Sequence, residues 1–296
     1  MSPILAIVLS PLLLGIIAKT KAFFAGRKGQ PLLQLYYDLF KLLQKGVVYS
    51  TSTTIVIRLS PWIALAAAST ALCILPVPGH PGWISFPGDF FVLFALLAVF
   101  RFSLVCAALD TGSSFEGMGS SREVFFSFLA EPALLLGFLV LAFGLGGYSL
   151  QEILSDPFSI GKGKTVALYF ISVSLFIVLL AENSRIPFDD PNTHLELTMI
   201  HEVMILDHSG LDLGGILYAS ALKLWILGSL WVSISIPMGW GNFYLDVVVF
   251  LASMGLLAVF IGFMESILAR VRLIRVSHAL SLATVLAVLA FLWIIG

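Results

Sequence analysis

The sequence predicts an all-α, polytopic membrane protein with about eight transmembrane helices and one amphipathic helix on the inner surface. Composition is the first reason: hydrophobic residues are 59% of the 296 positions and charged residues 11%, against about a quarter charged in soluble domains. The second is a mean hydropathy of +1.04. The third is the grouping of apolar residues into runs of about 20, enough to cross the hydrocarbon core as a helix. No internal repeat, low-complexity tract or shift in composition marks a boundary, so residues 1–296 read as one integral membrane domain.

The first span, 3–22, has no charged leader and no A-x-A cleavage site, so it reads as a retained helix. The loop after it carries Leu32, Leu35, Tyr36, Leu39, Phe40 and Leu43 at helical spacing, with Gln34, Asp38, Lys41 and Lys45 between them. That pattern is an amphipathic helix, lying on the inner membrane surface or under a partner. Spans two to four are expected at 60–79, 88–110 and 122–146, the second closed by the Pro- and Gly-rich stretch Pro76–Gly88. A loop at Gly146–Lys164 precedes the fifth span, 165–182, and an acidic loop precedes the sixth, 213–236. Pro237–Asn242 sets off the seventh, 243–265, and a basic turn leads to the eighth, 277–295.

Basic residues orient the bundle. Odd-numbered loops hold Lys19, Lys21, Arg27, Lys28, Lys41, Lys45, Arg58, Arg122, Arg185, Arg270, Arg272 and Arg275, and even-numbered loops only Lys162 and Lys164. Odd loops are therefore expected in the cytoplasm and both termini outside. A net charge of −1 without a basic patch argues against a nucleic-acid partner. Cys73 and Cys106 stand alone in apolar runs. An iron-sulfur cluster or structural zinc needs about four ligands, so any redox centre is expected in another subunit.

With this orientation Glu116, Glu123, Glu131, Glu182, Glu196, Glu202 and Glu265 fall in the inner half of the membrane or on inner loops, and Glu152 alone lies outside. Carboxyl groups in a low-dielectric site can bind and release protons near neutral pH, as a relay requires. The alternative is that they neutralise Arg122, Arg185, Arg270, Arg272 and Arg275. Arg101 and Glu131 each lie nine residues from the inner end of their helices, about 13 Å deep at 1.5 Å per residue, where adjacent helices could pair them. Lys223 lies deeper, near the midplane and without an evident partner, which favours a wet, functional interior.

The segment Ala181–Gly210 concentrates Glu182, Asp189, Asp190, Glu196, Glu202 and Asp207 with Arg185 and the histidines His194, His201 and His208. Asp190-Pro191 reads as a helix start, with an Asp cap and Pro in the first turn. A helix over Asn192–Leu206 puts His194, Thr198 and His201 on one face. A metal site there is opposed by HEVMI, which has Ile205 where HExxH needs its second His. The histidines are expected as hydrogen-bond or interface residues, with no metal ligand and no catalytic residue in the chain. Neither a Ser-His-Asp order, a nucleotide-binding glycine motif nor a P-loop is present.

AENSRIPFDDP followed by LEL, GRKGQPLLQLYYDLFKLL in the first loop, and Arg122 followed by Glu131 resemble the signature segments of membrane subunit 1 of respiratory complex I. HLELTMIHEVMILDHSG and LDTGSSFEGMGSSRE at 109–123 are more similar to the homologous membrane subunit of energy-converting nickel-iron hydrogenases and formate hydrogenlyase, of hydrogenase-4 type. The likeness covers nearly the whole chain. It implies a subunit that docks a hydrophilic arm onto a membrane arm, in the cell inner (plasma) membrane. The implied partners are hydrogenase large and small subunits, an iron-sulfur subunit and antiporter-like membrane subunits. The nickel-iron centre and iron-sulfur clusters are expected in those partners, and no cofactor in this chain. Glu182, Arg185, Asp189 and Glu196 match the loop motif, and Glu131 the path leading inward. Asn192 and His194 stand where the complex I loop usually has carboxylates, which shifts the reading from quinone reduction toward a proton-reducing hydrogenase partner.

The chain is thus expected to move H⁺ or Na⁺. Glu131, Glu123, Glu182, Glu196, Glu202, Glu265, Arg101 and Lys223 form the expected pathway, and Arg185, Asp189, Asp190, His194, His201 and Asp207 the docking loop. The alternatives are a quinone-site subunit of a complex I-like oxidoreductase, a stand-alone transporter and a passive anchor. Transporters often show internal repeats and broken helices; a passive anchor does not need Glu131 or Lys223 buried. The topology has a direct test. A cysteine at Gly79 or Asn242 is expected to react with an impermeant thiol reagent from outside, and one at Ser184 to be inert; labelling of Ser184→Cys from outside inverts the orientation.

Overall fold

The computed structural model describes residues 2–76, 82–155, 157–160, 165–189, 199–237, 243–269 and 271–295. Its helices in order are α1 (Ser2–Phe24), α2 (Gln34–Leu43), α3 (Ile55–Ile74), α4 (Asp89–Asp110), α5 (Ser114–Leu145), α6 (Leu150–Ser155), α7 (Thr165–Glu182), α8 (His201–Met204), α9 (Gly210–Ser235), α10 (Phe243–Ile267) and α11 (Leu273–Ile295). Among the described residues eight of these are long and apolar enough to cross a membrane. They are α1, α3, α4, α5, α7, α9, α10 and α11, matching the expected spans. α9 is the axis of the bundle, buried at every residue from Ala221 to Leu230. It packs against α1, α2, α3, α7 and α10, α3 lies along α4, and α11 sits against both α5 and α7.

Several helix boundaries depart from the apolar runs, and at α3 a side-chain cap is the reason. The second span begins at Ile55, not near 60, because Asp110 at the end of α4 accepts from Thr54 N at 2.8 Å and Ile57 N at 3.3 Å. Thr54 itself accepts from Val56 N. The amides of the first turn are satisfied from a neighbouring helix, so the helix extends past the apolar window. Arg58, expected in the loop, is therefore helical and lies over the Tyr49 ring. The fourth span starts at Ser114, eight residues before the expected 122, and places Glu116, Arg122 and Glu123 on the helix and not in a loop. The sixth and eighth begin earlier than expected, at Gly210 and Leu273. At the opposite end of the bundle a short helix, α6, is fixed by Asp89, whose Oδ1 accepts from Leu150 N at 2.6 Å, and by Glu152, which accepts from Tyr148 N and Ser149 N.

α2 forms within the segment where the pattern predicted a helix. Leu35, Tyr36, Leu39 and Leu42 are half-buried toward the bundle, while Leu33, Tyr37, Phe40 and Leu43 stay exposed. α1 and α10 approach each other closely, which a small residue permits. At Gly262 of α10 an added Cβ would lie 2.8 Å from Thr20 Cβ and 2.9 Å from Ile17 O of α1. Gly262→Val is accordingly expected to pry α10 from α1 and lower the stability of the purified protein by about 1–3 kcal/mol, the usual cost of overpacking. A melting temperature in detergent unchanged from the wild type would show that the two helices tolerate separation.

Candidate functional site

Four helices bring four charged side chains to one point. Glu182, the last residue of α7, turns into the bundle with a side chain 9% exposed. Its Oε1 lies 2.6 Å from Arg101 Nη1 of α4, and its Oε2 lies 2.8 Å from Lys223 Nζ of α9. Arg101 Nη2 also pairs with Glu131 Oε1 of α5, so the expected Arg101–Glu131 pair is present. Lys223 is not the partnerless residue that the sequence suggested. Its partner was hidden because Glu182, at the very end of the fifth span, reads as a residue of the inner membrane face, whereas its side chain turns into the bundle. Glu123 sits two turns before Glu131 on α5, within electrostatic reach of Lys223, Glu182, Arg101 and Asp189.

Three residues beyond Glu182 a second cluster begins. The chain turns tightly there: Ser184 has φ of 50°, and Phe188 N and Asp189 N both donate to Arg185 O. Arg185 Nη1 comes within 3.6 Å of Glu265 Oε1 on α10, and Lys21 Nζ of α1 within 3.2 Å of Glu265 Oε2. Glu265 is thus the counter-charge of Arg185, as the neutralising alternative held for that pair. Arg122, by contrast, donates to the Met199 carbonyl at 3.1 Å. Among the described residues Arg185 Nε, Glu265 Oε1 and Ser220 Oγ are buried without a hydrogen-bond partner.

Asp189 organises the rest of the loop. Its Oδ2 accepts from Ile200 N at 3.1 Å and His201 N at 3.2 Å, opening α8. Of the helix expected over Asn192–Leu206, the described residues hold only this one turn. Asp190, His194, Glu196 and Thr198, with the metal-face reading built on them, lie outside the described residues. Burial, and then the charges of Lys223 and Arg185, hold the His201 imidazole down to a pKa of about 4, so it is neutral at pH 7. Burial likewise pulls His208 down. α8 rests on α5 at Gly119, where an added Cβ would lie 2.1 Å from Val203 Cγ1.

Three cavities follow one another through these charges. The first, about 220 Å³, is bounded by α1, α9, α10 and the loop, and includes Lys21, Arg185, Asp189, His201, Glu202 and Glu265. A constriction of about 50 Å³ at His201 and Ser220 leads from it to Glu182 and Lys223. On the far side of Glu182 the third, about 290 Å³, runs between α4, α5 and α7 past Arg101 and Glu131, its upper walls formed by Phe91, Phe94 and Leu134. The structure therefore gathers Arg101, Glu131, Glu182 and Lys223, places Glu123 nearby, and sets Arg185, Asp189, His201, Glu202 and Glu265 around the first cavity. Asp207 stands apart, exposed. Sequence reasoning missed Lys21, read as a loop charge, and Ser220, whose signal is its spacing of three from Lys223 on α9.

Comparison with known proteins covers the full length. A family profile described as NADH dehydrogenase matches residues 1–296. The chain is 30% identical to hydrogenase-4 component C of Escherichia coli (strain K12), over 99% of this chain and 94% of that one. It is 29% identical to formate hydrogenlyase subunit 4 of the same organism, covering 89% and 87%. With NADH-ubiquinone oxidoreductase chain 1 of Triticum aestivum it shares 26% over 65% and 63%. A chain of the membrane-bound sulfane sulfur reductase, an archaeal respiratory membrane complex, superposes with a TM-score of 0.83 at 21% identity, covering 99% and 96%. These matches place the chain among multi-pass membrane proteins whose relatives work in multi-subunit complexes.

The charge cluster predicts an asymmetry. Glu182→Gln leaves Arg101 and Lys223 facing each other with one carboxylate fewer, an uncompensated buried charge expected to cost about 3–5 kcal/mol. Combining it with Lys223→Gln restores neutrality and is expected to recover much of the loss. Thermal unfolding of the three variants decides: a double variant no more stable than Glu182→Gln alone shows that the pair is not a unit.

Proposed function

The chain belongs to the NADH dehydrogenase family, the lineage of complex I subunit 1, and from that premise we propose that it is the ion-translocating and docking membrane subunit of a nickel-iron hydrogenase complex. The observation that carries this is the row of three cavities, the first and second sharing Arg185, His201 and Ser220 and the second and third sharing Glu182. It supports a path along which a change at the loop is felt as a change in ionisation deep in the bundle. Electrons travel in the hydrophilic partners, which hold the nickel-iron centre and the iron-sulfur clusters. This chain binds no redox group and contributes position, charge and a proton path.

In this reading the loop faces the cytoplasm of a plasma-membrane protein, and both termini lie outside. The hydrophilic arm docks around the segment ending at Asp207 and α2. Electron transfer there shifts the charge or conformation beside Arg185 and Asp189. Arg185 lies three residues from Glu182, so the disturbance reaches the Arg101–Glu182–Lys223 cluster through one turn of backbone. A proton then redistributes toward Glu131. Coverage of the hydrogenase-type relatives over 89% or more of the chain, against 65% for the Triticum aestivum chain, favours the hydrogenase complex. The second reading, a quinone-site subunit of a complex I-like oxidoreductase, draws on the first cavity, which opens beside α1 and α2 with Leu14, Ile17 and Leu35 in its wall. Membranes that evolve hydrogen support the first reading; donor oxidation dependent on added quinone supports the second.

The central test is Glu131→Gln, which keeps shape and hydrogen-bonding capacity but cannot ionise. In inverted vesicles the variant complex is expected to assemble and to form hydrogen from an artificial electron donor while ion uptake falls sharply. Glu152→Gln, at the opposite end of the bundle, is the control and keeps its capping acceptor. Normal uptake in Glu131→Gln would reduce the residue to a structural partner of Arg101.

A further inference from the structure

Glu116, in the first turn of α5, stands outside the row of cavities and has no part in the path described above. It is 1% exposed. Its Oε1 accepts from the backbone of Asp207 at 3.2 Å, while its Oε2 is buried with no hydrogen-bond partner among the described residues. Beside it His208, 6% exposed, likewise has an unpartnered buried Nδ1. The groups around them come from three segments. Thr111 precedes α5 and donates its hydroxyl to Ala108 O, Asp207 and His208 end the loop, and Asp212 of α9 accepts from Tyr49 OH at 2.6 Å. Only Asp207 of the three loop and α5 groups reaches the surface.

From Glu116 one face of α5 carries Ser120, Glu123, Ser127 and Glu131, at steps of four, three, four and four residues. Those offsets keep all five within one stripe of a 3.6-residue helix. Ser120 and Ser127 are buried in an otherwise apolar span. The stripe rises about 22 Å from Glu116 to Glu131, in steps of about 6 Å, each the length of one bridging water plus two hydrogen bonds. It ends on the two carboxylates that adjoin Arg101 and Lys223.

We propose that Glu116 is the proton intake of the relay. It takes protons from the loop surface at Asp207 and passes them along the α5 stripe through Ser120 to Glu123 and on to the Glu182 cluster. Each step breaks one O–H bond and makes another: Glu116 binds a proton at Oε2, passes it inward and returns to the carboxylate. No electron moves, and the coupling ion on this branch is H⁺. The proposal rests on the ion-translocating reading above.

The test uses the whole complex in inverted vesicles and reads ions taken up per hydrogen formed. Glu116→Ala is expected to lower that ratio by roughly tenfold or more, below the full contribution of a positioned proton-transfer group. Millimolar acetate, the carboxylic acid that matches the CH2–COOH group removed, is expected to restore it, whereas acetamide, of the same shape and without a titrating proton, is not. Equal rescue by both overturns the proposal, because it makes Glu116 a packing residue. If Glu116→Ala does not assemble, Glu116→Gln keeps the acceptor for Asp207 N and gives the same reading: a lowered ratio supports the intake and a wild-type ratio overturns it. Glu131→Gln is measured in parallel. A lost ratio there with a wild-type ratio in the Glu116 variants overturns the intake alone, and normal ratios in both overturn the relay and the intake together.

Discussion

A buried charge must be neutralised on the spot, and that constraint at Glu182 governs the architecture. Taking an ion out of water costs several kcal/mol even after relaxation. Glu182 meets the cost with two cations, Arg101 and Lys223, and Arg101 is balanced in turn by Glu131. Each comes from a different helix, so the four helices are held in register by electrostatics as much as by packing. Two cations and two carboxylates leave no net charge. Adding or removing one proton unbalances the group by a full unit. At 4 Å and an effective dielectric of about 20 such a unit interacts with its neighbours by about 4 kcal/mol. A cluster of this kind resists change until something nearby compensates, which is the behaviour a coupling site needs.

The loop is attached to that cluster by covalent bonds. Asn183 Nδ2 donates to Leu179 O at 2.8 Å, continuing α7 by one polar residue. Ser184 takes a left-handed conformation and Arg185 follows at once. Arg185 is salt-bridged to Glu265, which Lys21 also holds, and Pro187 O accepts from Val271 N at 3.1 Å between α10 and α11. The segment 182–189 therefore touches α1, α7 and α10 within a few residues. Arg185 and Glu182 are only three residues apart, so the two ion pairs share one turn of backbone. The neutral imidazole of His201 stands between the two clusters and separates two sets of positive charge without adding a third.

Sequence patterning exposed the spans because membrane helices are written in one variable, the length of the apolar run. It misplaced the start of α3 because a single side chain decides it: Asp110 reaching across to Thr54 and Ile57 is invisible in a hydropathy profile. The buried charges were legible for the same reason as the spans, an ion in an apolar run being expensive enough to stand out. Their pairing was half legible. Equal depths on consecutive helices pointed to Arg101 and Glu131. Lys223 and Glu182 lie on α9 and α7, which are separated in sequence by the whole acidic loop, and only the fold brings them together. Lys21 was unreadable because its stem carries the ammonium from a helix end to a buried carboxylate, as long basic side chains do.

The distribution of charge also limits what this chain can do alone. Beyond Arg101, α4 runs back through Phe100–Phe90 without a charge until Asp89, and α5 carries no charge after Glu131. α7 before Glu182 and α9 after Lys223 are equally free of carboxylates and basic residues. The far half of the bundle is closed by packed rings, Phe90 with Phe94 and Phe94 with Phe138. A proton reaching Glu131 in the proposed relay meets no further charged group on α4, α5, α7 or α9 before Asp89 at the far end. Yet Glu131 is the least buried member of the cluster, with a side chain 49% exposed at the mouth of the cavity between α4 and α5. A carboxylate held half-exposed on the flank of a membrane helix, and anchored from behind by Arg101, is placed to hand its proton sideways. In the relay proposed above, that half-exposed position leaves room for a proton acceptor on a neighbouring subunit, because α4, α5, α7 and α9 carry no charge between the cluster and the far end of the bundle apart from Asp89.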